Sequence, residues 1–266
     1  MTRIFDIFRR PVYPGEGAEL RASSSAMGLQ IPAEPVLVPA ECRIVAHTDP
    51  TSPAADQFRL IRLRLNQLWN ADKLKKLLIT SPLPHDGKST VALNLAVSLA
   101  EEGKRPVLLI DGDLHRATIS KGFGLGDRPG VAECIEAGSD PCIGVRRLEP
   151  VGCCFLPAGN TRNNPSELLQ SDALQRMMEK LSPHFDWILI DSPPVAPLTD
   201  ALSWKARTDA TLLLARAGRT PVQAVDEALN LVGRKHVLAI ILNGVEGLDH
   251  LYSKYYKAYG PHAAVK

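Results

Sequence analysis

Residues 80–90 read TSPLPHDGKST and contain the residue types of a phosphate-binding loop. Gly-Lys-Ser lies there between a predicted strand and a predicted helix. In such a position backbone N–H groups cradle phosphate oxygens, a lysine reaches the β- and γ-phosphates, and a serine hydroxyl ligates Mg²⁺. The strict P-loop spacing is not met, because Pro82 replaces the first glycine and His85 stands where such loops often have glycine. Taken alone, the segment is either a nucleotide site or a helix that merely begins with Gly-Lys-Ser.

Carboxylates at the ends of two other predicted strands favour the nucleotide interpretation. Asp111 and Asp113 follow one apolar run, and Asp191 follows another. A single aspartate in this position is often only a helix cap, but the carboxyl ends of parallel strands face one crevice. Carboxylates beside a phosphate-bound Mg²⁺ hold the ion, directly or through water, and orient a nucleophile. The three segments together predict a site for Mg·ATP or Mg·GTP.

The hydrophobic pattern predicts the elements that position these residues. Near-continuous apolar runs indicate buried strands, and stretches of helical periodicity lie between them. We expect strands at 76–81, 105–111, 185–191, 210–216 and 236–243, and helices at 89–103, 165–181, 221–233 and from Ser52-Pro53 onwards. This alternation is typical of an α/β fold with helices on both faces of a mostly parallel sheet, the three-layer αβα arrangement of P-loop NTPases.

The composition indicates an ordinary soluble protein. The chain has 266 residues, 45% hydrophobic and 23% charged, which excludes collagen-like and wholly disordered chains. Its net charge of +2 argues against a nucleic-acid partner. No apolar run approaches the ~20 residues that span a bilayer, and the N-terminus lacks the features of a secretory signal. Five cysteines without metal-binding spacing indicate reduced thiols, so we expect a cytoplasmic location.

Two regions flank the predicted domain of residues 51–248. Residues 1–50 contain six prolines and a run of three serines, and we expect a flexible, mostly extended arm. Its first ten residues mix apolar and basic side chains, so a frayed tail and a short docking helix both remain open. Residues 249–266 hold four of the five tyrosines of the chain. A folded domain scatters its tyrosines, so this bunching needs an explanation.

Three segments resemble motifs of the bacterial tyrosine kinases (BY-kinases) of capsule and exopolysaccharide assembly. The family's Walker A form, Thr-Ser-x-x-Pro-Gly-Glu-Gly-Lys-Ser-Thr, resembles TSPLPHDGKST. Its Walker A′ form, Asp-x-Asp-x-Arg, resembles VLLIDGDLHR, and its Walker B form, Asp-x-Pro-Pro, matches WILIDSPPV. Further similar stretches are 123–138, 157–171 and 239–245. The resemblance covers about residues 50–260 and implies a P-loop family related to partition and septum-positioning ATPases.

The resemblance implies ATP as the nucleotide and Mg²⁺ as the metal ion, with roles for the matching residues. The ATP-binding residues are Pro84, His85, Asp86, Gly87, Lys88, Ser89, Thr90 and, on the adenine side, Asn243. The metal-binding residues are Ser89, Asp111 and Asp191, and the catalytic residues are Lys88, Asp111 and Asp113. Positioning Mg²⁺ and activating a tyrosine hydroxyl are not divided between Asp111 and Asp113.

Two flanking features also resemble this family. Asp56, Arg59 and Arg62 resemble its Glu-x-x-Arg-x-x-Arg subunit-contact motif and fall near one helix face, although charges so spaced often form only a solvated face. The C-terminal YSKYYKAYG resembles the tyrosine cluster that the family phosphorylates in trans, although an amphipathic helix that packs its tyrosines is an alternative. The implied phosphorylation sites are Tyr252, Tyr255, Tyr256 and Tyr259.

The motifs together predict a cytoplasmic protein-tyrosine autokinase that regulates exopolysaccharide or capsule polymerisation and export. It would transfer the γ-phosphoryl group of ATP to C-terminal tyrosines of a neighbouring subunit. The resemblance implies a ring-like homo-oligomer and activation by a membrane-embedded polysaccharide co-polymerase, which would recruit the protein to the inner face of the plasma membrane.

Two alternatives remain open, a non-kinase ATPase switch of the partition type and a catalytically weak scaffold for polysaccharide export. The switch ATPases carry an additional lysine near the start of the phosphate loop, where this chain has Ser81-Pro82-Leu83-Pro84. The chain departs from the family pattern at three positions, and two of them, His85 and His115, leave the scaffold open. His85 replaces a glycine, His115 replaces the arginine of Asp-x-Asp-x-Arg, and Ala117 replaces a usual proline.

Overall fold

The computed structural model describes residues 3–5, 31–38, 40–72, 74–101, 103–138, 140–160, 163–196 and 199–245. These residues form one nine-stranded sheet. The strands are β1 (Arg3–Phe5), β2 (Ala33–Pro35), β3 (Lys76–Thr80), β4 (Val107–Asp111), β5 (Arg146–Glu149), β6 (Cys154–Leu156), β7 (Trp187–Asp191), β8 (Ala210–Arg216) and β9 (Val237–Asn243). Across the sheet the order is β1-β9-β8-β3-β7-β4-β6-β5-β2. All neighbours are parallel except β1 with β9 and β5 with β6, which confirms the mostly parallel sheet.

Helices cover both faces of this sheet. They are α1 (Val45–Thr48), α2 (Pro53–Asp72), α3 (Lys88–Ala100), α4 (Thr118–Gly122), α5 (Val131–Ala137), α6 (Pro165–Gln170), α7 (Asp172–Leu181), α8 (Asp200–Lys205) and α9 (Val222–Val232). In β3, Leu77 and Ile79 join the core beneath α2 and α3, whereas Leu78 joins the core beneath α5 and α7. Successive residues of a strand point to opposite faces, so a strand that is apolar throughout is buried on both sides.

The elements predicted from the hydrophobic pattern are present with small shifts at their ends. The predicted helix at 165–181 is the exception, because Ser171 has an extended backbone and divides it into α6 and α7. The Ser171 hydroxyl donates to the carbonyl of Leu168, a local bond that competes with helix continuation. Cys154 begins β6 and Cys153 directly precedes it, and burial raises the pKa of the Cys153 and Cys154 thiols to about 12 and about 11.

The expectation of a flexible arm over residues 1–50 is wrong for the described residues 31–38 and 40–50. β2 pairs in parallel with β5, and Ile44 is completely buried in the core beneath α2 and α3. The side chain of Asn94, inside α3, donates to the carbonyl of Arg43 at 2.9 Å and accepts from the amide of Ala46 at 3.2 Å. These contacts are non-local, so a search for periodicity within the segment itself does not reveal them.

The first residues differ from both earlier interpretations. Arg3–Phe5 is a strand that pairs antiparallel with β9, neither a helix nor a frayed end. Among the described residues, no helix combines the length and apolar character needed to cross a bilayer. The predicted phosphorylation sites in residues 249–266 lie outside the described residues.

Candidate nucleotide site

The topology brings the three predicted strand ends together. β7 lies between β3 and β4, and Asp111 is the direct ladder neighbour of Asp191. The amide of Gly112 donates to the carbonyl of Asp191 at 2.7 Å, so the two strand ends are locked side by side. The loop after β3 leads into α3 at the same edge. The crevice expected from the sequence is therefore present.

The loop from Ser81 to Gly87 has a backbone that only particular residues adopt easily. Gly87, immediately before α3, has φ +97°, and His85 has φ +66°. A Cβ on Gly87 would lie 2.1 Å from Nδ2 of Asn243, so glycine is required here by both backbone and space. The Asn243 amide donates to the carbonyl of Asp86 at 2.9 Å. Asn243 thus holds the loop, in addition to any contact with a nucleotide.

A second brace comes from the loop after β8. The buried carboxylate of Asp86 accepts from the hydroxyl of Thr220 at 2.7 Å and from the amide of Leu83 at 3.2 Å. The guanidinium of Arg216 donates to the carbonyl of His85 at 3.2 Å. Neither Thr220 nor Arg216 is a sequence prediction, because more than 130 residues of chain separate them from the loop that they support.

Lys88 is the first residue of α3 and is only 8% exposed. Burial lowers the pKa of its ammonium, and the carboxylates of Asp191, Asp113 and Asp86 oppose this effect. A helix N-terminus also favours an anion, because its first N–H groups lack helical partners. A buried lysine at this position is therefore poised to meet negative charge.

Asp111 and Asp191 are buried carboxylates in an unusual state. Burial raises the pKa of Asp191 to about 8, with the neighbouring Asp111 adding to the effect and the Ser89 hydroxyl opposing it. Burial also raises the pKa of Asp111 to about 6, against hydrogen bonds from Ser120. Ser120 donates both its amide and its hydroxyl to Oδ2 of Asp111, at 2.9 and 2.7 Å. Ser120 supports Asp111, and no sequence motif indicated this role.

The buried carboxylate oxygens test whether a divalent cation fits. Oδ1 of Asp111 and Oδ1 of Asp191 are both buried without a hydrogen-bond partner in the described part of the chain. Such oxygens beside a serine hydroxyl are the hard ligands that Mg²⁺ prefers. The described residues offer no cluster of three or more histidine, cysteine or carboxylate ligands. This sparse set suits Mg²⁺, which usually keeps waters and takes further ligands from phosphates.

A cavity of about 280 Å³ opens over the loop. It is lined by His85, Gly87, Lys88, Ser89, Thr90, Asp113, Arg116, Thr118, Pro194 and Arg216. Five of the predicted ATP-binding residues are therefore at the cavity. Pro84, Asp86 and Asn243 are not among its lining residues. Asp113 faces the cavity, whereas Asp111 and Asp191 lie buried behind it.

The departures from the family pattern have structural counterparts. His115 Nε2 lies 2.9 Å from Oδ2 of the buried Asp200, whose Oδ1 accepts from the hydroxyl of Ser166 at 2.6 Å. Ala117 has φ +49°, a value that the ring of proline does not permit. His85 keeps the left-handed backbone of a glycine position without being one. None of these residues displaces Lys88 or the carboxylates.

The predicted subunit-contact residues make contacts within the chain. Asp56 and Arg59 form an ion pair, and Arg59 also donates to the carbonyl of Pro50. Arg62 donates to the carbonyl of Ser98 in the last turn of α3 at 3.1 Å. All three lie on α2, away from the nucleotide cavity, and Arg59 and Arg62 line a second cavity of about 610 Å³. Their role between subunits stays a prediction.

Known proteins resemble this chain in sequence. The family model for cellulose biosynthesis protein BcsQ matches residues 85–247. Tyrosine-protein kinase YwqD of Bacillus subtilis is 30% identical over 215 residues, which cover 80% of this chain and 90% of that protein. Tyrosine-protein kinase ptk of Acinetobacter johnsonii is 33% identical over 177 residues, which cover 66% of this chain. The match spans 24% of the length of ptk, so that relative is much longer.

Solved structures resemble it in fold. The kinase domain of the Escherichia coli tyrosine kinase ETK superposes with a TM-score of 0.70 at 26% identity, covering 76% of this chain and 80% of that one. The chimerical protein CapA2B2 superposes with a TM-score of 0.68 at 28% identity, covering 80% of this chain and 94% of that one. The septum site-determining protein MinD of Pyrococcus horikoshii, solved with Mg-ADP, gives 0.53 at 23% identity over 62% and 67%. At that identity MinD shows the shared fold alone.

Proposed function

Because this chain belongs to the bacterial tyrosine kinase family of capsule and exopolysaccharide biosynthesis, we propose that it is an ATP-dependent protein-tyrosine autokinase. One observation carries the proposal. Two buried carboxylates, Asp111 and Asp191, each hold an unpartnered oxygen beside the phosphate loop, where Lys88 begins α3. This combination of groups suits Mg·ATP better than any ligand without phosphate.

The residues of the site divide the work. Lys88 and the N–H groups at the start of α3 would bind the phosphates and neutralise charge that moves to the leaving oxygen. Ser89, Asp191 and Asp111 would hold Mg²⁺, which supplies charge compensation on the phosphates. Asp113 faces the cavity and would accept the proton of the attacking phenol. This proposal gives Asp113 the role of base and Asp111 that of support for the ion.

The place where β9 ends supports a tyrosine acceptor. β9 runs parallel to β8 and β3, so its carboxyl end lies at the same edge of the sheet as the phosphate loop. Asn243, its last residue, touches that loop. The last described residues of the chain, Gly244 and Val245, therefore follow directly from the edge of the site. The tyrosines come next in the sequence, and phosphates on several of them would repel one another. We propose that a neighbouring subunit of a homo-oligomer phosphorylates it.

The partner and the process are also part of the proposal. Relatives named for succinoglycan transport and for capsule-type tyrosine kinases support a role in the polymerisation and export of exopolysaccharide. We propose that a membrane-embedded polysaccharide co-polymerase activates the protein and recruits it to the membrane.

Phosphosite mapping tests the activity. The protein is incubated with Mg·ATP and a candidate activator, and Tyr252, Tyr255, Tyr256 and Tyr259 are examined by mass spectrometry. We expect phosphate on several of them in the wild type and none in Lys88→Met. Tyr13, the remaining tyrosine, is an internal control. Unmodified tail tyrosines alongside ATP hydrolysis would contradict the kinase and favour an ATPase switch.

A further inference from the structure

Two adjacent side chains after β4 turn in different directions. His115 reaches the buried Asp200 and is not among the residues that line the nucleotide cavity. Arg116, the next residue, lines the nucleotide cavity. The family pattern has arginine at the position of His115. The structure thus places the positive charge of this loop one residue later.

The backbone of Arg116 is fixed although its side chain is free. Its amide donates to Oδ1 of Asp113 at 3.0 Å, and the next amide donates to the carbonyl of Asp113 at 2.7 Å. The hydrogen bond of His115 with Asp200 anchors the turn from the other side. The guanidinium itself makes no hydrogen bond or ion pair with any residue that the structure describes.

The other cations at the cavity have different surroundings. The guanidinium of Arg216 donates to the carbonyl of His85 and so supports the phosphate loop. Lys88 faces the carboxylates of Asp191 and Asp113. Arg116 and Lys88 both line the cavity, so the two cations act on the same space. Two cations without a bound anion repel each other, and an anion between them would relieve this.

We propose that Arg116 is a catalytic residue that contacts the transferring phosphoryl group of the nucleotide. The proposal rests on the proposed phosphotransfer function. In the transfer, the phenol oxygen forms a bond to the γ-phosphorus while the bond from that phosphorus to the bridging oxygen breaks. ADP leaves with the electron pair, and the phenol proton passes to Asp113. Arg116 donates to the equatorial oxygens as charge spreads over them, the role that arginine's planar fork suits.

Arg116→Ala and Arg116→Lys test this, with Arg176→Ala as the control. Arg176 is exposed on α7 and does not line the cavity, so Arg176→Ala removes the same charge at a distance from the site. We expect Arg116→Ala to lower the rate of phosphoryl transfer by at least about 100-fold, with KM for ATP changed by less than about threefold. Arg116→Lys should fall between, because it keeps the charge without the fork. Arg176→Ala should match the wild type.

Binding of an analogue tests the contact without turnover. Isothermal titration compares the affinity for Mg·ADP alone with that for Mg·ADP plus fluoroaluminate, which mimics the transferring phosphoryl group. We expect fluoroaluminate to tighten binding in the wild type and in Arg176→Ala but not in Arg116→Ala, while Mg·ADP alone binds all three alike. Thermal unfolding of the same samples reports whether each variant is folded.

The outcomes separate this inference from the proposed function. If the wild type binds the analogue tightly but leaves its tyrosines unmodified, the kinase proposal fails and the role of Arg116 stands. Equal tightening in Arg116→Ala, or none in the wild type, overturns the inference. So does a loss of Mg·ADP affinity as large as the loss of rate, because that result would make Arg116 a ground-state binding residue.

Discussion

At the scale of single residues, the site depends on charges that the fold alone does not satisfy. Asp111 and Asp191 are ladder neighbours and both are buried, so each disfavours ionisation of the other. Ser120 and Ser89 offset part of this cost with hydrogen bonds. Asp111 and Asp191 would hold a divalent cation, whose positive charge would offset the remaining cost of their unpartnered oxygens. The residues that would bind the ion are thus the ones that destabilise the protein without it.

The buried carboxyl of Asp191 makes the stability of the protein depend on pH. Asp191 has a folded pKa of about 8, above its unfolded value of about 3.9. Between these values the native state holds a proton that the unfolded state has released, so stability falls as the pH rises. Without metal or nucleotide, we expect the free energy of unfolding to drop by about 2 kcal/mol between pH 6 and 8 from this group. Urea unfolding in EDTA at several pH values measures it.

Asp191→Asn should abolish most of that fall, because asparagine does not titrate. Asp226→Asn, on the exposed side of α9, is the control and should leave the slope unchanged. The prediction is contradicted if Asp191→Asn and the wild type lose stability in parallel. Adding Mg·ADP should raise the stability of the wild type at pH 8 by more than that of Asp191→Asn, since the variant lacks one of the two carboxylates that would hold the ion.

At the scale of elements, α3 connects the nucleotide site to the start of the chain. Its first residue is Lys88, its middle residue Asn94 bonds the segment around Arg43, and its last turn accepts from Arg62 of α2. Asn94 is completely buried, so both the oxygen and the NH₂ of its side-chain amide need partners. The segment before α2 is therefore part of the structure that positions the phosphate loop. The folded unit begins before residue 51.

Two matched substitutions test this boundary. Ile44 is completely buried, whereas Leu37, a few residues earlier, is 89% exposed. We expect Ile44→Ala to destabilise the protein by about 2–5 kcal/mol through lost burial and a residual cavity. Leu37→Ala should change stability by less than about 0.5 kcal/mol. Chemical denaturation of the full chain measures both free energies of unfolding. A change below about 0.5 kcal/mol for Ile44→Ala would contradict the inclusion of residues 31–50 in the folded unit.

At the scale of the whole molecule, self-association through α2 remains a proposal with a constraint from the structure. Arg62 bonds the last turn of α3, so replacing it would disturb the fold as well as any interface. Asp56 and Arg59 form a partly exposed pair, and ion pairs open to solvent contribute little to stability. Arg59 is therefore the better residue with which to test a subunit contact.

We expect Arg59→Ala to weaken self-association at least about tenfold while its unfolding temperature stays close to that of the wild type. Sedimentation velocity over a range of protein concentrations measures the association. Arg234→Ala removes an arginine from another exposed ion pair, with Asp226, and serves as the control. A wild type that stays monomeric at all concentrations, or an Arg59→Ala variant that assembles as well as the wild type, would contradict the interface.

Local sequence patterns were enough to predict the alternation of strands and helices, the phosphate loop and the strand-end carboxylates. These follow from local signals, since a strand buried on both faces is apolar throughout and a P-loop is contiguous. Tertiary structure alone decided which distant residues support the site. Thr220, Arg216 and Asn94 act across dozens of residues of chain, and no local pattern indicates such contacts. The same reason explains why residues 31–50 read as an arm: their partners in the core lie on other elements.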